Sequence, residues 1–143
     1  MDNLTLRLSM GIERIAVLGA GQMGNGIAQV AACAGYDVVM IDIKQDYLDK
    51  GLAAIENSLS RVVKKERMTQ QEADEAISLI SISTEKIAAA DADLVVEAIP
   101  EIPELKFSTF AELDSICKPE SILASNTSSI SINAIADATN RPD

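Results

Sequence analysis

The stretch Gly19-Ala20-Gly21-Gln22-Met23-Gly24, with a further glycine at Gly26, constrains this chain more than any other. The run before it, Ile15-Ala16-Val17-Leu18, is short, apolar and partly β-branched, and predicts a buried parallel strand. After the first glycines, Ile27, Val30, Ala31 and Ala34 recur at helical spacing, and Gly35 supplies a C-terminal stop. Strand, glycine turn and helix in that order are the context that a phosphate-binding fingerprint requires. The first glycine makes the tight turn, the second lets backbone approach a pyrophosphate, and the third permits close helix–strand packing. Gly19, Ala20, Gly21, Gln22, Met23 and Gly24 are therefore candidate ligand contacts, because a helix N-terminus offers unpaired N–H groups and a positive dipole end.

Glycine turns also arise for plain backbone reasons, so the next strand matters. Val38-Val39-Met40-Ile41 reads as that strand, and it ends in Asp42. An acid about 20 residues past the glycine turn can accept hydrogen bonds from both ribose hydroxyls of an adenosine. The same carboxylate repels a 2′-phosphate, and no arginine follows it closely. The expected cofactor is NAD in preference to NADP. The plain alternative for Asp42 is an aspartate that starts a loop.

At 143 residues the chain suits one domain with a real core. Aromatic residues are only 3 %, so that core is aliphatic, as expected when helices cover both faces of a parallel sheet. A net charge of −10 argues against nucleic acid, and no basic tract offsets it. Cys33 and Cys117 have no metal-ligand spacing, so no metal site is expected, and Cys33 reads as a buried, inert thiol inside the first helix. No apolar run approaches ~18 residues, so no membrane span is expected. With no secretory signal before the first strand, the expected compartment is the cytoplasm. Residues 1–13 form a leader of undecided structure, in which Leu4, Leu6 and Leu8 alternate.

Beyond Asp42, Leu48, Leu52, Ile55, Leu59 and Val62 give a narrow apolar seam and predict a helix from about Asp46 to Lys65. Thr69 and Glu72 form a capping-box signature for another helix carrying Ala73, Ala76 and Ile77. Two successive helices predict a helical hairpin inserted after the second strand and standing away from the sheet. Further strands are expected at about Leu79–Ile82, Leu94–Ala98 and Ser121–Ala124. A helix should open at about Pro103 and present Leu105, Phe110, Leu113 and Cys117. Ile132, Ile135 and Ala136 begin a last helix, stopped by Asn140-Arg141-Pro142. The alternation predicts an α/β fold, a Rossmann-type doubly wound parallel sheet, over residues 14–143.

Read together, Val17 to Gln29, Leu94-Val95-Val96-Glu97-Ala98 and Ser125-Asn126-Thr127-Ser128-Ser129 resemble the NAD-binding half of the 3-hydroxyacyl-CoA dehydrogenases, the family that includes the 3-hydroxybutyryl-CoA dehydrogenases. The resemblance spans about Arg14 to Asp143. It implies that Glu101 and Lys106 line the NAD site; without it, Lys106 would be an ordinary solvated helix lysine. It implies that Ser128 hydrogen-bonds the substrate's 3-oxygen near the nicotinamide; the alternative for Ser128 is a helix cap. Ser58, Arg61 and Lys65 fall on one face of the long second helix, and the resemblance implies that Ser58 and Lys65 touch coenzyme A. Cations near a helix C-terminus are also favoured by the macrodipole alone.

Two departures stand out. The family usually has Glu-Asn or Glu-Asp after the fourth strand, whereas Glu101 here precedes Ile102 in a loop with two prolines, Pro100 and Pro103. The family's catalytic histidine belongs to a Gly-x-His-Phe-Phe-Asn-Pro motif on the next strand, and the sequence stops at Asp143 before it. The resemblance thus implies an oxidoreductase fragment that binds NAD, lacks the base and the helical C-terminal dimerisation domain, and does not turn over alone. In the family's strand order, 3-2-1-4-5-6, the strand near Ile122 would be left with an open edge, and a homo-oligomer is expected. The alternatives are a naturally short, non-catalytic NAD-binding regulatory module, or another Rossmann dehydrogenase. Against the latter stand the Ser125–Ser129 loop and the helical hairpin.

Overall fold

The computed structural model of the chain describes residues 11–143, so the Leu4/Leu6/Leu8 alternation lies outside the described residues. The elements run β1 (Arg14–Leu18), α1 (Gln22–Cys33), β2 (Asp37–Ile41), α2 (Gln45–Lys64), α3 (Gln70–Ser78), β3 (Ile80–Ser83), β4 (Leu94–Glu97), α4 (Pro103–Ile116), β5 (Ile122–Ser125) and α5 (Ile132–Asp137). A short 3-10 turn, Lys86–Ala89, lies between β3 and β4. The strands form one sheet in the order β3-β2-β1-β4-β5, and every pairing is parallel. This is the Rossmann-type, doubly wound α/β fold.

Strand residues point alternately to the two faces, and each face has its own core. Ile15, Val17, Val38 and Met40 meet Leu48, Ile55, Leu59, Ala73 and Ala76 on one side. Ala16, Leu18, Val39, Ile41 and Val95 meet Ala89, Ala92, Leu113 and Cys117 on the other. Both layers are mainly aliphatic; Tyr36 packs against the edge of the first, and Phe110 is buried on α4.

The helical hairpin is present but does not stand away from the sheet. The α2 seam residues Leu48, Ile55 and Leu59 and the α3 residues Ala73 and Ala76 belong to the same core as β1 and β2. A helix with one apolar stripe must bury it, and α1 and the sheet supply the cover. The capping box forms as expected: Thr69 Oγ1 accepts from the Glu72 backbone N–H at 3.1 Å, and Glu72 Oε1 accepts from the Thr69 N–H at 3.2 Å.

Several single positions differ from their pattern. Cys33 is exposed, and so is Val30, at 71 %. Both sit on the outward side of α1, whose buried side is built from Gly24, Ala28, Ala31 and Ala32. Small residues there let the helix lie close to the sheet, Ile27 packs at the edge of that core, and Met23 and Val30 are turned out. Leu105 is likewise exposed, while Phe110, Leu113 and Cys117 are buried. Arg141 does more than stop the chain's last helix. Its guanidinium donates to the Asp114 carboxylate and to the carbonyls of Asp114, Cys117, Lys118 and Ser121, so it ties down the end of α4 and the turn into β5. No described helix is long and apolar enough to cross a membrane.

Candidate functional site

Parallel pairing in register brings four strand ends into one row. Leu18 stands opposite Ile41 on one side and Glu97 on the other, and Glu97 stands opposite Ser125. The segments that leave these residues carry the glycine turn, Asp42, Glu101 and Ser128. They surround the crevice between β1 and β4, where the chain's course reverses and open α/β sheets bind their ligands.

The glycine turn is fixed by backbone alone. Gly19 has φ +107°, and a Cβ there would lie 2.4 Å from the Ala98 carbonyl oxygen. Its N–H donates to Ile41 O at 2.7 Å, and Ala98 N donates to Leu18 O at 2.7 Å, so the first turn is clamped between β2 and β4. A Cβ on Gly24 would lie 1.9 Å from Gly19 O, which is why the first turn of α1 can fold back over the strand end. At Gly21 a Cβ would meet nothing within 4 Å. Gly21 is the N-cap, it brings no capping side chain, and no acid occupies the first turn of α1. The leading N–H groups of that helix have no intrahelical acceptor. Open space before a positive dipole end suits the pyrophosphate of a dinucleotide.

Asp42 lies just past β2, half-buried, with its carboxylate turned back onto this turn. Oδ2 accepts from Ala20 N at 2.8 Å, and Oδ1 accepts from Ile43 N at 2.7 Å. Two backbone donors thus hold the acid in one orientation, with lone pairs left on both oxygens. The first cation after it, Lys44, has its ammonium 5.4 Å from the centroid of the Tyr47 ring.

The β4–β5 side is held by side chains. Lys106 is not a solvated helix lysine: it is 1 % exposed and reaches Glu97, which is 0 % exposed, at 2.6 Å. Its ammonium also meets Glu101 Oε1 at 2.8 Å. Burial alone would lower the ammonium's pKa, but the hydrogen bonds to Glu101 and Glu97 outweigh it and raise the value. Lys106 and then the Ser129 hydroxyl bring Glu101 from its ordinary 4.5 to about 2. Glu97 Oε2 further accepts from Ile99 N at 2.8 Å, and its Oε1 accepts from Ser125 Oγ at 2.6 Å. Glu97 and Ser125 stand in the motifs that carry the resemblance, but the sequence assigned them no role in the site. The available signal was a glutamate at the end of the apolar run Leu94-Val95-Val96, a position the sheet must bury.

Met23, Ala98, Ile99, Pro100, Glu101, Lys106, Asn126 and Ser128 line a cavity of about 280 Å³ beside the glycine turn. Ser128 is exposed toward this space and does not cap α5, whose N-cap is Ser131. Ser58, Arg61 and Lys65 are not among the lining residues. Ser58 is half-buried and accepts from Gln29 Nε2 at 3.0 Å, while Arg61 and Lys65 are exposed at the end of α2. A larger recess, about 370 Å³, lies at the opposite end of the strands between Glu13, Arg14, Asp37, Asp91, Asp93 and Lys118. Its four carboxylates beside two cations make it a poor seat for phosphates, and no glycine turn opens onto it.

A glycine turn at a helix N-terminus, a backbone-held acid after the second strand and a crevice at the sheet's switch point define a dinucleotide-binding domain. Residues 14–143 match the family described as "3-hydroxyacyl-CoA dehydrogenase, NAD binding domain". The chain belongs to the 3-hydroxyacyl-CoA dehydrogenase family, as its NAD-binding domain. It is 48 % identical over 132 residues to a 3-hydroxybutyryl-CoA dehydrogenase of Bradyrhizobium diazoefficiens, covering 92 % of this chain and 45 % of that protein. To a probable 3-hydroxybutyryl-CoA dehydrogenase of Deinococcus radiodurans it is 50 % identical over 129 residues, 90 % of this chain and 46 % of the relative. The crystal structure of Mycobacterium tuberculosis FadB2 superposes with a TM-score of 0.90 at 42 % identity, over 92 % of this chain and 46 % of that one. The chain thus spans a little under half the length of these relatives.

Proposed function

We propose that this chain is the NAD-binding part of an enzyme that interconverts 3-hydroxyacyl-CoA and 3-ketoacyl-CoA, in fatty-acid β-oxidation or butanoate metabolism. The observation that carries this reading is the common row of strand ends, which brings the glycine turn, Asp42 and the Ser128 loop around one crevice. NAD, when bound, supplies the hydride acceptor. The chain's own residues divide the remaining work. The N–H groups around Gly21 to Gly24 take the pyrophosphate, Asp42 takes the adenosine ribose, and Glu101 and Lys106 border the nicotinamide end. The Ser128 hydroxyl donates to the substrate's 3-oxygen.

A dehydrogenation of this kind also needs a group to take the hydroxyl proton. The sequence contains no histidine, and no other described group in the cavity is free to serve: Glu101 is held ionised and hydrogen-bonded, and Lys106 is held protonated. The 143-residue chain is therefore a binding unit that does not turn over alone. Ser58 and Lys65, with Arg61 beside them, are proposed to hold coenzyme A phosphates, since a basic face in an otherwise acidic molecule attracts anionic groups. A cytoplasmic homo-oligomer is the proposed setting.

Calorimetric titration of the chain with NADH and NADPH tests the cofactor assignment. NADH should bind more tightly, and Asp42→Ala should weaken NADH by about tenfold to a hundredfold, the cost of hydrogen bonds to a charged acceptor, while changing NADPH less. Equal or tighter NADPH binding by the unaltered chain contradicts the Asp42 assignment. In the same preparation, acetoacetyl-CoA and NADH should give no turnover; steady oxidation of NADH would mean that the chain contains a proton donor outside the cavity described.

A further inference from the structure

Among the described residues Ser128 has no hydrogen-bond partner, yet both of its neighbours have one, and it is the same atom. Thr127 Oγ1 donates to Glu101 Oε2 at 3.0 Å, and Ser129 Oγ donates to that oxygen at 2.6 Å. The other oxygen of Glu101 meets Lys106, and Lys106 runs inward to Glu97. Glu97 in turn holds Ser125 Oγ, which accepts from Thr127 N at 3.1 Å. Thr127 Oγ1 also accepts from Ile130 N at 3.0 Å. The Ser125–Ile130 segment is thus gripped from inside the sheet by Glu97 and from outside by Glu101, with one buried ammonium joining the two acids. Each of the three hydroxyl protons, on Ser125, Thr127 and Ser129, is committed to a carboxylate, which leaves Ser128 as the hydroxyl turned to the cavity.

We propose that Glu97 and Ser125 are positioning residues: they fix the loops that carry Ile99 to Glu101 and Asn126 to Ser128 at the nicotinamide end of the site, and Lys106 and Glu101 act with them as a clamp. The inference rests on the cofactor assignment proposed above. A dinucleotide that puts its pyrophosphate on the glycine turn and its adenosine at Asp42, toward β2, must extend its other half toward β4 and β5, because those strands flank β1 on the opposite side. The clamp lies wholly on that second half. Fully satisfied buried networks of this kind fix one arrangement, whereas a missing member leaves charged groups unmatched and the segment free to shift.

ADP-ribose, which has the adenosine half and lacks the nicotinamide, separates positioning from general stability. The full chain and its Ser125→Ala, Ser125→Thr and Glu101→Gln variants would be titrated with NADH and with ADP-ribose, well below each variant's melting temperature. Ser125→Ala should weaken NADH by at least about tenfold and leave ADP-ribose within about twofold; Ser125→Thr, which keeps the hydroxyl, should restore NADH affinity. Glu101→Gln should show the same selective loss, and it sits at a partly exposed position, so it serves should Ser125→Ala fail to fold. Unchanged NADH affinity in both Ser125→Ala and Glu101→Gln overturns the proposal, and so does an equal loss for NADH and ADP-ribose, which marks a merely structural role. An unaltered chain that binds ADP-ribose but gains nothing from the nicotinamide also overturns it. One that binds neither ligand overturns the cofactor assignment as well.

Discussion

The two halves of the crevice are built by different means. On the β1–α1–β2 side, the turn from Gly19 to Gly24 is shaped by what its residues lack, and Asp42 is oriented by two backbone N–H groups. On the β4–α4–β5 side, the loops after Glu97 and Ser125 are shaped by side chains, through a buried lysine between two glutamates and three hydroxyls donating to them. Backbone closure rests on Gly19 and Gly24, where a Cβ does not fit. Side-chain closure depends on each member, because a buried charge without its partner is costly.

The largest expected effect breaks the point where the halves meet. Gly19→Ala imposes a left-handed conformation on alanine and drives its Cβ into the Ala98 carbonyl. Strain and overpacking together should cost about 2–6 kcal/mol, with NADH binding lost in whatever remains folded; thermal denaturation and titration check both. Almost as large is Lys106→Met, which leaves the Glu97 carboxylate buried without its cation and should cost about 3–5 kcal/mol. Lys106→Met combined with Glu97→Gln should recover part of that loss, and a double variant no better than the single one would show that the pair is not coupled.

Acid sharpens the same contrast with a smaller, graded effect. Glu101 and Asp93 are held at about 2 from ordinary values of 4.5 and 3.8, Glu101 chiefly by Lys106, and Asp93 by Lys118 and backbone donors against the opposing effect of burial. Asp114 is lowered too, by the Asn140 N–H and Arg141. A depressed carboxylate binds its proton more readily in the unfolded chain, so its contribution is present above the ordinary pKa and disappears as pH falls toward the folded value. Stability should therefore fall between about pH 5 and pH 2. In Glu101→Gln the fall should be shallower; an unaltered slope would mean that Glu101 contributes nothing to it.

This difference in construction also explains what was legible. Glycines, an acid at the end of the second strand and the capping box at Thr69 leave local marks, and the strand order followed from the resemblance. Lys106 was legible as part of a site only through the resemblance, because a lysine in the first turns of a helix carries no local sign of burial. Its partner Glu97 and the Ser125 hydroxyl that Glu97 holds lie on separate strands, and only the sheet's register brings those two together. Cys33 was misplaced for a related reason: in a helix where almost every residue is apolar or small, periodicity does not say which side is turned in.

The most direct test of a site at the C-terminal ends of the strands is the map of amide chemical-shift changes when NADH is added to the isotopically labelled chain. The largest changes should fall on residues 19–24, 42–44, 98–99, 101 and 126–130, on both halves of the crevice. Changes concentrated instead at Glu13, Asp37 and Asp91, around the larger recess at the opposite end of the sheet, would contradict it.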